Sequence, residues 1–258
     1  IITLFWIRNT KSGEDSTVTV QEAQKYVLNL MRAPADSADF LGSYLPAPGQ
    51  FVNILIDGLF LRRPISVCDA DKKSLTLVYK VVGEGTQKMS EYHHGKELDI
   101  LLPLGNGYNI KNGENSILIG GGAGVPPMYF LCKELLKTGK KPVVILGFNS
   151  KEDVFYDDKF KKLGVETIVA TADGSMGIKG FVTDALKTVN TYSYFYACGP
   201  EPMLKAVCSV SKTSGELSFE ERMGCGFGAC MGCSCKTKYG AKRICKEGPV
   251  LKKEEIIW

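Results

Sequence analysis

The sequence has no apolar run of the roughly 18–20 residues needed to cross a bilayer; its strongest runs, such as Ile117–Ile119 and Val143–Leu146, are strand-sized. No membrane partner is expected. The stretch Ile1–Ile7 is apolar but lacks a basic leader and a small-residue cleavage site, so it does not read as a signal peptide. A net charge of +4 over 258 residues is too small to imply a nucleic-acid partner. Histidine is almost missing: His93 and His94 stand together, with no paired Ser or Cys nucleophile motif, and read as loop residues. There are no internal repeats and no low-complexity tract. Wholesale disorder is excluded too, because 44% hydrophobic and 23% charged residues suffice for at least one full core.

Cysteine, by contrast, is plentiful and unevenly placed. Five of the nine cysteines (Cys225, Cys230, Cys233, Cys235, Cys245) fall within 21 residues. An odd total with such lopsided placement fits a disulfide scaffold poorly. A metal or cluster site in a reducing, cytoplasmic compartment is the better expectation.

The length suggests one large or two to three small domains, and the composition changes twice along the chain. Residues 1–112 hold short alternating or β-branched runs (Thr17–Val20, Phe51–Ile56, Leu75–Val82, Glu97–Leu102) broken by Gly, Pro and Asp, which predicts an antiparallel β-barrel or sandwich. Residues 113–217 alternate strand and helix. Strands are expected at Ser116–Ile119, Val143–Gly147, Val165–Ala170 and Tyr194–Ala197, and helices at Met128–Leu136, Asp157–Leu163 and Glu201–Ser209. That alternation predicts a doubly wound α/β parallel sheet. Residues 218–258 are a small Cys-rich tail, too short for a core of its own. Residues 219–258 carry 8 Lys and Arg against 5 Asp and Glu, so +3 of the chain's charge sits there. That bias suits docking against an acidic face, or simply a solvated basic surface.

Four motifs carry chemistry. The first is Cys225-x4-Cys230-x2-Cys233-x11-Cys245, which reproduces the C-x4-C-x2-C…C spacing of plant-type 2Fe-2S sites. Gly224, Gly226, Gly228 and Gly232 let the loop wrap closely and aim backbone N–H groups at sulfur. A structural zinc site is the alternative, but it usually uses two C-x2-C pairs, and only one is present. Cys235 is left over as a small buried neighbour.

The second motif is Ile117–Met128, a strand, a glycine turn with Gly122 and Gly124, and a helix start at Pro127. Such a turn lets backbone amides meet a pyrophosphate; a plain strand–helix turn is the alternative. The third is Leu61–Ser66, with Tyr79-Lys80 and Gly85–Ser90 downstream: an arginine and a hydroxyl able to clamp a phosphate, or an ordinary Arg-Pro turn. The fourth, Cys198-Gly199-Pro200, follows a strand at the edge where open α/β sheets bind ligands; a buried Cys before a helix start is the alternative.

Together these motifs resemble the ferredoxin–NADP reductase superfamily, through Arg63-x-x-Ser66, Gly122-x-Gly124-x-x-Pro127 and Cys198–Pro200. The run Glu221–Cys233 with Arg243–Pro249 narrows the resemblance to the electron-transfer subunits of NAD-dependent, type B dihydroorotate dehydrogenases. It covers nearly the whole chain after about residue 45. The resemblance implies FAD held by Arg63, Pro64, Ile65 and Ser66, by Val78, Tyr79 and Lys80, and by Gly85 and Thr86. Lys80 stands where the family often has Arg, keeping charge but losing the fork. NAD would lie at Gly122, Gly124, Cys198, Gly199 and Pro200. The 2Fe-2S cluster would be held by Cys225, Cys230, Cys233 and Cys245. The implied partner is an FMN-containing dihydroorotate dehydrogenase catalytic subunit, in a heterotetramer of two of each, within pyrimidine biosynthesis. This chain would pass electrons to NAD+, and no catalytic residue for the pyrimidine is assigned to it. The strand 143–147 is followed by Phe148-Asn149-Ser150 rather than by an Arg for a 2′-phosphate, which leans to NAD over NADP. The rivals are an NADH-dependent reductase feeding a different partner and a zinc-stabilised interaction module without redox activity.

Overall fold

Alternation of β-branched and polar residues yields six antiparallel strands in the first two-fifths of the chain. The computed structural model describes residues 2–8, 26–32, 45–72, 74–93 and 96–258. The six are β1 (Ile2–Arg8), β2 (Tyr26–Arg32), β3 (Phe51–Ile54), β4 (Arg63–Ala70), β5 (Ser74–Lys80) and β6 (Glu97–Leu104), with a short helix α1 (Glu84–Ser90) between the last two. They close into a barrel in the order β1-β2-β5-β4-β3-β6. The strand expected at Thr17–Val20 and the loop reading of His94 lie outside the described residues. The Arg-Pro motif opens β4, with Pro64 at the second position, where a missing N–H costs the ladder little.

Strand period two decides what each barrel residue faces. Val52, Ile54, Val67, Leu75, Leu77, Tyr79, Leu98 and Ile100 fill the interior. Phe51 and Asn53, between those inward residues on β3, point out of the barrel. Phe51 packs with Cys233, Ile244 and Cys245. Their cross-strand partners on β4 are Ser66 and Pro64, which share that outer face.

The middle of the chain alternates strand and helix as expected: β7 (Ser116–Gly121), α2 (Val125–Lys137), β8 (Val143–Phe148), α3 (Asp157–Lys162), β9 (Thr167–Thr171), β10 (Ile178–Lys179), α4 (Val182–Leu186), β11 (Tyr194–Cys198), α5 (Glu201–Val210) and β12 (Gly215–Ser218). Every expected element of this region is present; β10, α4 and β12, too short for a clear period, are additional. Parallel β7 is buried at all six positions, which explains its unbroken apolar run.

The tail adds a hairpin, β13 (Ser234–Thr237) and β14 (Gly240–Arg243), and a last strand, β15 (Val250–Lys252). β15 pairs antiparallel with β12 and completes a seven-stranded sheet, β10-β9-β8-β7-β11-β12-β15. The expected 217/218 boundary is therefore a place where the chain leaves the sheet, to return at Val250. A tail without a core of its own borrows this sheet edge and the barrel's Phe51.

The barrel and the parallel sheet also share a core. Phe130 of α2 is 2% exposed and packs with the barrel interior residues, while Met128, Leu131 and Leu135 of the same helix pack towards the sheet. Phe130→Ala is expected to destabilise the protein by about 3–5 kcal/mol, the usual cost of emptying a buried aromatic site. Chemical denaturation measures it, and a loss under about 1 kcal/mol would mean the two units pack independently.

Candidate functional site

The glycines of the Cys225–Cys233 loop supply the backbone turns that gather its thiols. Gly226 and Gly228 have φ of +79° and +93°, open to glycine at little cost. Backbone N–H groups of Ala229 and Cys230 donate to the Cys225 sulfur at 3.2 and 3.4 Å, and the Cys225 N–H reaches the Cys230 sulfur at 3.5 Å. The Cys245 N–H donates to the Cys233 sulfur at 3.4 Å. These backbone N–H groups tie Cys225 to Cys230 and Cys233 to Cys245. Burial alone would raise the Cys225 thiol; the N–H groups of Cys230, Phe227 and Ala229 and the Cys230 thiol outweigh it and bring it down to about 6. Cys245 is pushed up to about 12 by burial and by Cys233 beside it.

Four cysteines in this spacing suit a two-iron centre, which takes two thiolates per iron. Among the described residues no three His, Cys, Asp or Glu side chains surround a single ion position. The Cys233–Cys245 pair is buried against the barrel's Phe51, whereas Cys230 is exposed. Two exposed apolar side chains, Phe227 and Met231, flank Cys230, and Met231 holds a left-handed φ of +62°, strained for a non-glycine. Arg243 fastens the loop to β14. Its Nη1 donates to the Gly228 carbonyl at 2.6 Å, and Glu247 accepts from its Nε at 2.9 Å. Cys235 stands apart, half-buried beside a second cavity of about 120 Å³ that Leu251 and Trp258 also line.

Arg63, Gly85 and Thr86 come together at one end of the barrel. A Cβ on Gly85 would lie 2.2 Å from the Arg63 Nε, so only glycine lets the guanidinium sit over the start of α1. The Thr86 hydroxyl is committed to the turn: it accepts from the N–H of Val82 and of Gly83 and donates to the Gly83 carbonyl. Tyr79 points into the barrel, and the half-buried Ile65 packs against the same core. Val78 joins the core beneath α2 instead. Pro64 and Ser66 lie on the outer face beside Phe51 and Asn53.

Lys80 leaves the other proposed barrel residues and borders a cavity of about 450 Å³ at the strand ends of the parallel sheet. Gly121, Gly122, Phe148, Asn149, Asp153, Pro200 and Met203 also line it. Gly122 takes a φ of +51° at the turn before α2. Gly124 lies off the cavity wall: a Cβ there would stand 2.1 Å from the Cys198 carbonyl oxygen, so its smallness serves the close approach of α2 to β11. Cys198 is buried, its thiol pushed up to about 12 by burial and by Glu220. Gly199 faces the second cavity, and Pro200 borders both.

Sequence reasoning missed Asn53, whose Nδ2 donates to the Cys225 carbonyl at 3.3 Å, and the acidic Asp153 in the large cavity. Neither belongs to a motif. Only the fold brings them to these places.

A barrel, a nucleotide-type cavity on a parallel sheet and a set of four cysteines packed against both define a class: an NAD-linked oxidoreductase of the ferredoxin–NADP reductase fold with an iron–sulfur module. Comparisons with known proteins agree. The model of the iron-sulfur cluster binding domain of dihydroorotate dehydrogenase B matches residues 220–257, and that of the oxidoreductase NAD-binding domain matches residues 118–209. The dihydroorotate dehydrogenase B (NAD(+)) electron transfer subunit of Fusobacterium nucleatum is 48% identical over 218 residues, covering 79% of this chain and 84% of the relative. That of Bacillus pumilus is 44% identical over 231 residues, covering 84% and 89%. A solved NADH-dependent reduced ferredoxin-NADP oxidoreductase, studied for flavin-based electron bifurcation, superposes with a TM-score of 0.82 at 29% identity over 96% of this chain and 91% of its own. The ferredoxin reductase in carbazole 1,9a-dioxygenase shares the fold alone, with a TM-score of 0.63 at 18% identity over 81% of this chain and 64% of its own. The chain belongs to the family of electron transfer subunits of dihydroorotate dehydrogenase B (NAD(+)).

Proposed function

We propose that this chain takes electrons released by dihydroorotate oxidation in an FMN-containing catalytic subunit and delivers them to NAD+, in a cytoplasmic heterotetramer of two copies of each chain. When bound, an iron–sulfur centre passes single electrons, nicotinamide accepts a hydride, and a flavin converts between the two modes. Cys225, Cys230, Cys233 and Cys245 hold the 2Fe-2S cluster. Arg63, with the backbone of Gly85 and Thr86, would hold the FAD diphosphate, and Pro64 and Ser66 would stand beside the flavin. Gly122 and Pro200 cradle the NAD pyrophosphate region. Lys80 stands at the mouth of that cavity, and Asp153 on its wall disfavours a 2′-phosphate by like charge.

One observation carries this reading: the parts lie in the order electrons need. The exposed Cys230 side of the loop looks outward, and the buried Cys233–Cys245 pair rests on Phe51. Phe51 shares a barrel face with Ser66, and Lys80 of the same barrel reaches the nicotinamide cavity. Phe227 and Met231, exposed around the loop, and the tail's +3 charge provide an apolar centre in a basic surround for the partner.

The test is reconstitution. Alone, the protein should carry electrons from NADH to artificial acceptors and leave dihydroorotate untouched. Mixing with the FMN subunit should create dihydroorotate-dependent NAD+ reduction, and rising salt should slow assembly where charge steers the encounter. Dihydroorotate oxidation by this chain alone would sink the division of labour. Failure with the partner present would favour an NADH-oxidising reductase that feeds electrons elsewhere.

A further inference from the structure

The linker between barrel and sheet carries a buried side chain that meets both. Tyr108, just past β6, is 5% exposed. Its backbone N–H donates to the Pro48 carbonyl at 2.8 Å, in the loop that leads into β3. Its ring lies on the bare Cα of Gly49, where a Cβ would stand 2.7 Å from a ring carbon. Its hydroxyl donates to the Ala197 carbonyl of β11 at 2.9 Å. On the barrel side the contacts continue: the Gln50 carbonyl accepts from the Val67 N–H at 3.1 Å, next to Ser66. On the sheet side Ala197 leads directly into Cys198-Gly199-Pro200, and Pro200 borders both cavities. Tyr108 is thus a direct link between the proposed flavin segment and the turn at the mouth of the dinucleotide cavity.

We propose that Tyr108 is a positioning residue for hydride transfer: its hydroxyl fixes the Cys198-Gly199-Pro200 turn against the barrel, and so sets the spacing between flavin and nicotinamide. This rests on the assignment of FAD to the barrel and of NAD to the large cavity. Hydride transfer needs its reacting atoms about 3–3.5 Å apart, and small misplacements cost rate steeply. The two rings belong to different units, so whatever fixes one unit on the other fixes that distance. Phe130 joins the units by apolar packing, which has no preferred direction. The Tyr108 bond is directional, and in its buried setting no water competes for the donor. It therefore aligns the two sites where the packing only holds them together.

Tyr108→Phe keeps the ring on Gly49 and removes only the hydroxyl. In the protein loaded with FAD and cluster, FAD reduction at saturating NADH, followed without oxygen by stopped flow, should slow by about two- to tenfold, the value of one neutral hydrogen bond. The dissociation constant for NADH should stay the same. Amide hydrogen exchange, read by mass spectrometry, should speed up in the Cys198–Leu204 segment while β7 and β8 keep their protection. A bond that only added stability would instead speed exchange through the whole sheet and leave the saturated rate alone. Tyr194→Phe is the control. Its hydroxyl accepts from the Asn112 side chain at 3.2 Å, in the same linker but away from the turn, and its loss should leave the rate unchanged. An unchanged saturated rate in Tyr108→Phe would overturn the proposal, and so would an equal slowing in both variants. FAD content and NADH-dependent FAD reduction in the unmutated protein keep the underlying reading separate. Their absence there defeats that reading, while their presence beside a full-rate Tyr108→Phe defeats this inference alone.

Discussion

Loss of the iron–sulfur absorbance is the expected result of serine at any one of Cys225, Cys230, Cys233 or Cys245, with full retention at Cys235. Each of the four thiols supplies one ligand, and its loss leaves an iron with a missing ligand. Serine offers a harder oxygen in its place and pairs poorly with iron–sulfur chemistry. The N–H groups converging on the Cys225 sulfur favour its thiolate, the form that ligates iron. Cys235 stands outside this set. It sits in β13, whose alternation turns it towards the small cavity beside Trp258, and burial pushes its thiol up. Visible absorbance and iron content of protein purified without oxygen measure the outcome. Cluster loss in Cys235→Ser with retention in Cys245→Ser would overturn the assignment.

Arg63→Ala is expected to lower FAD affinity by about 10- to 150-fold. A hydrogen bond to a charged group contributes about 1.5–3 kcal/mol, and here donor and acceptor are both ionised. The guanidinium is held in place before any ligand arrives: its Nη1 donates to the Leu61 carbonyl at 2.5 Å, and the bare backbone of Gly85 lies against it. That ordering reduces the entropy lost on binding. Removing the side chain leaves the barrel core intact, since Arg63 lies outside it. FAD retained after extensive dialysis is the measurement, and unchanged content would count against a diphosphate at this end of the barrel.

Some expectations met a different physical outcome. Val78, Tyr79 and Lys80 form one motif in the chain, yet strand alternation and the strand's end send the three to different surroundings. Tyr79 enters the barrel core, Val78 the core under α2, and Lys80 the wall of the large cavity at the sheet's strand ends. Gly124 reads as a phosphate-turn glycine, but its bare Cα serves the contact with the Cys198 carbonyl. In both cases tertiary packing gives neighbouring residues of one motif different surroundings.

What the sequence alone determined was whatever depends on short-range spacing. The C-x4-C-x2-C loop, the run of apolar residues in β7 and the glycine turn before Pro127 are local, because a thiolate loop, a doubly buried strand and a helix start each impose their constraints within a dozen residues. The three-part order of the chain followed from the same local periods. Only the tertiary structure decided the rest. It set the Cys245 N–H on the Cys233 sulfur, returned β15 to the edge of the parallel sheet, and set Asn53 against Cys225, 172 positions away. Contacts at such separations follow from how the barrel closes and which of its faces remains to be covered. No spacing in the chain encodes that, since it depends on the strand order and on the outward half of each strand's alternation.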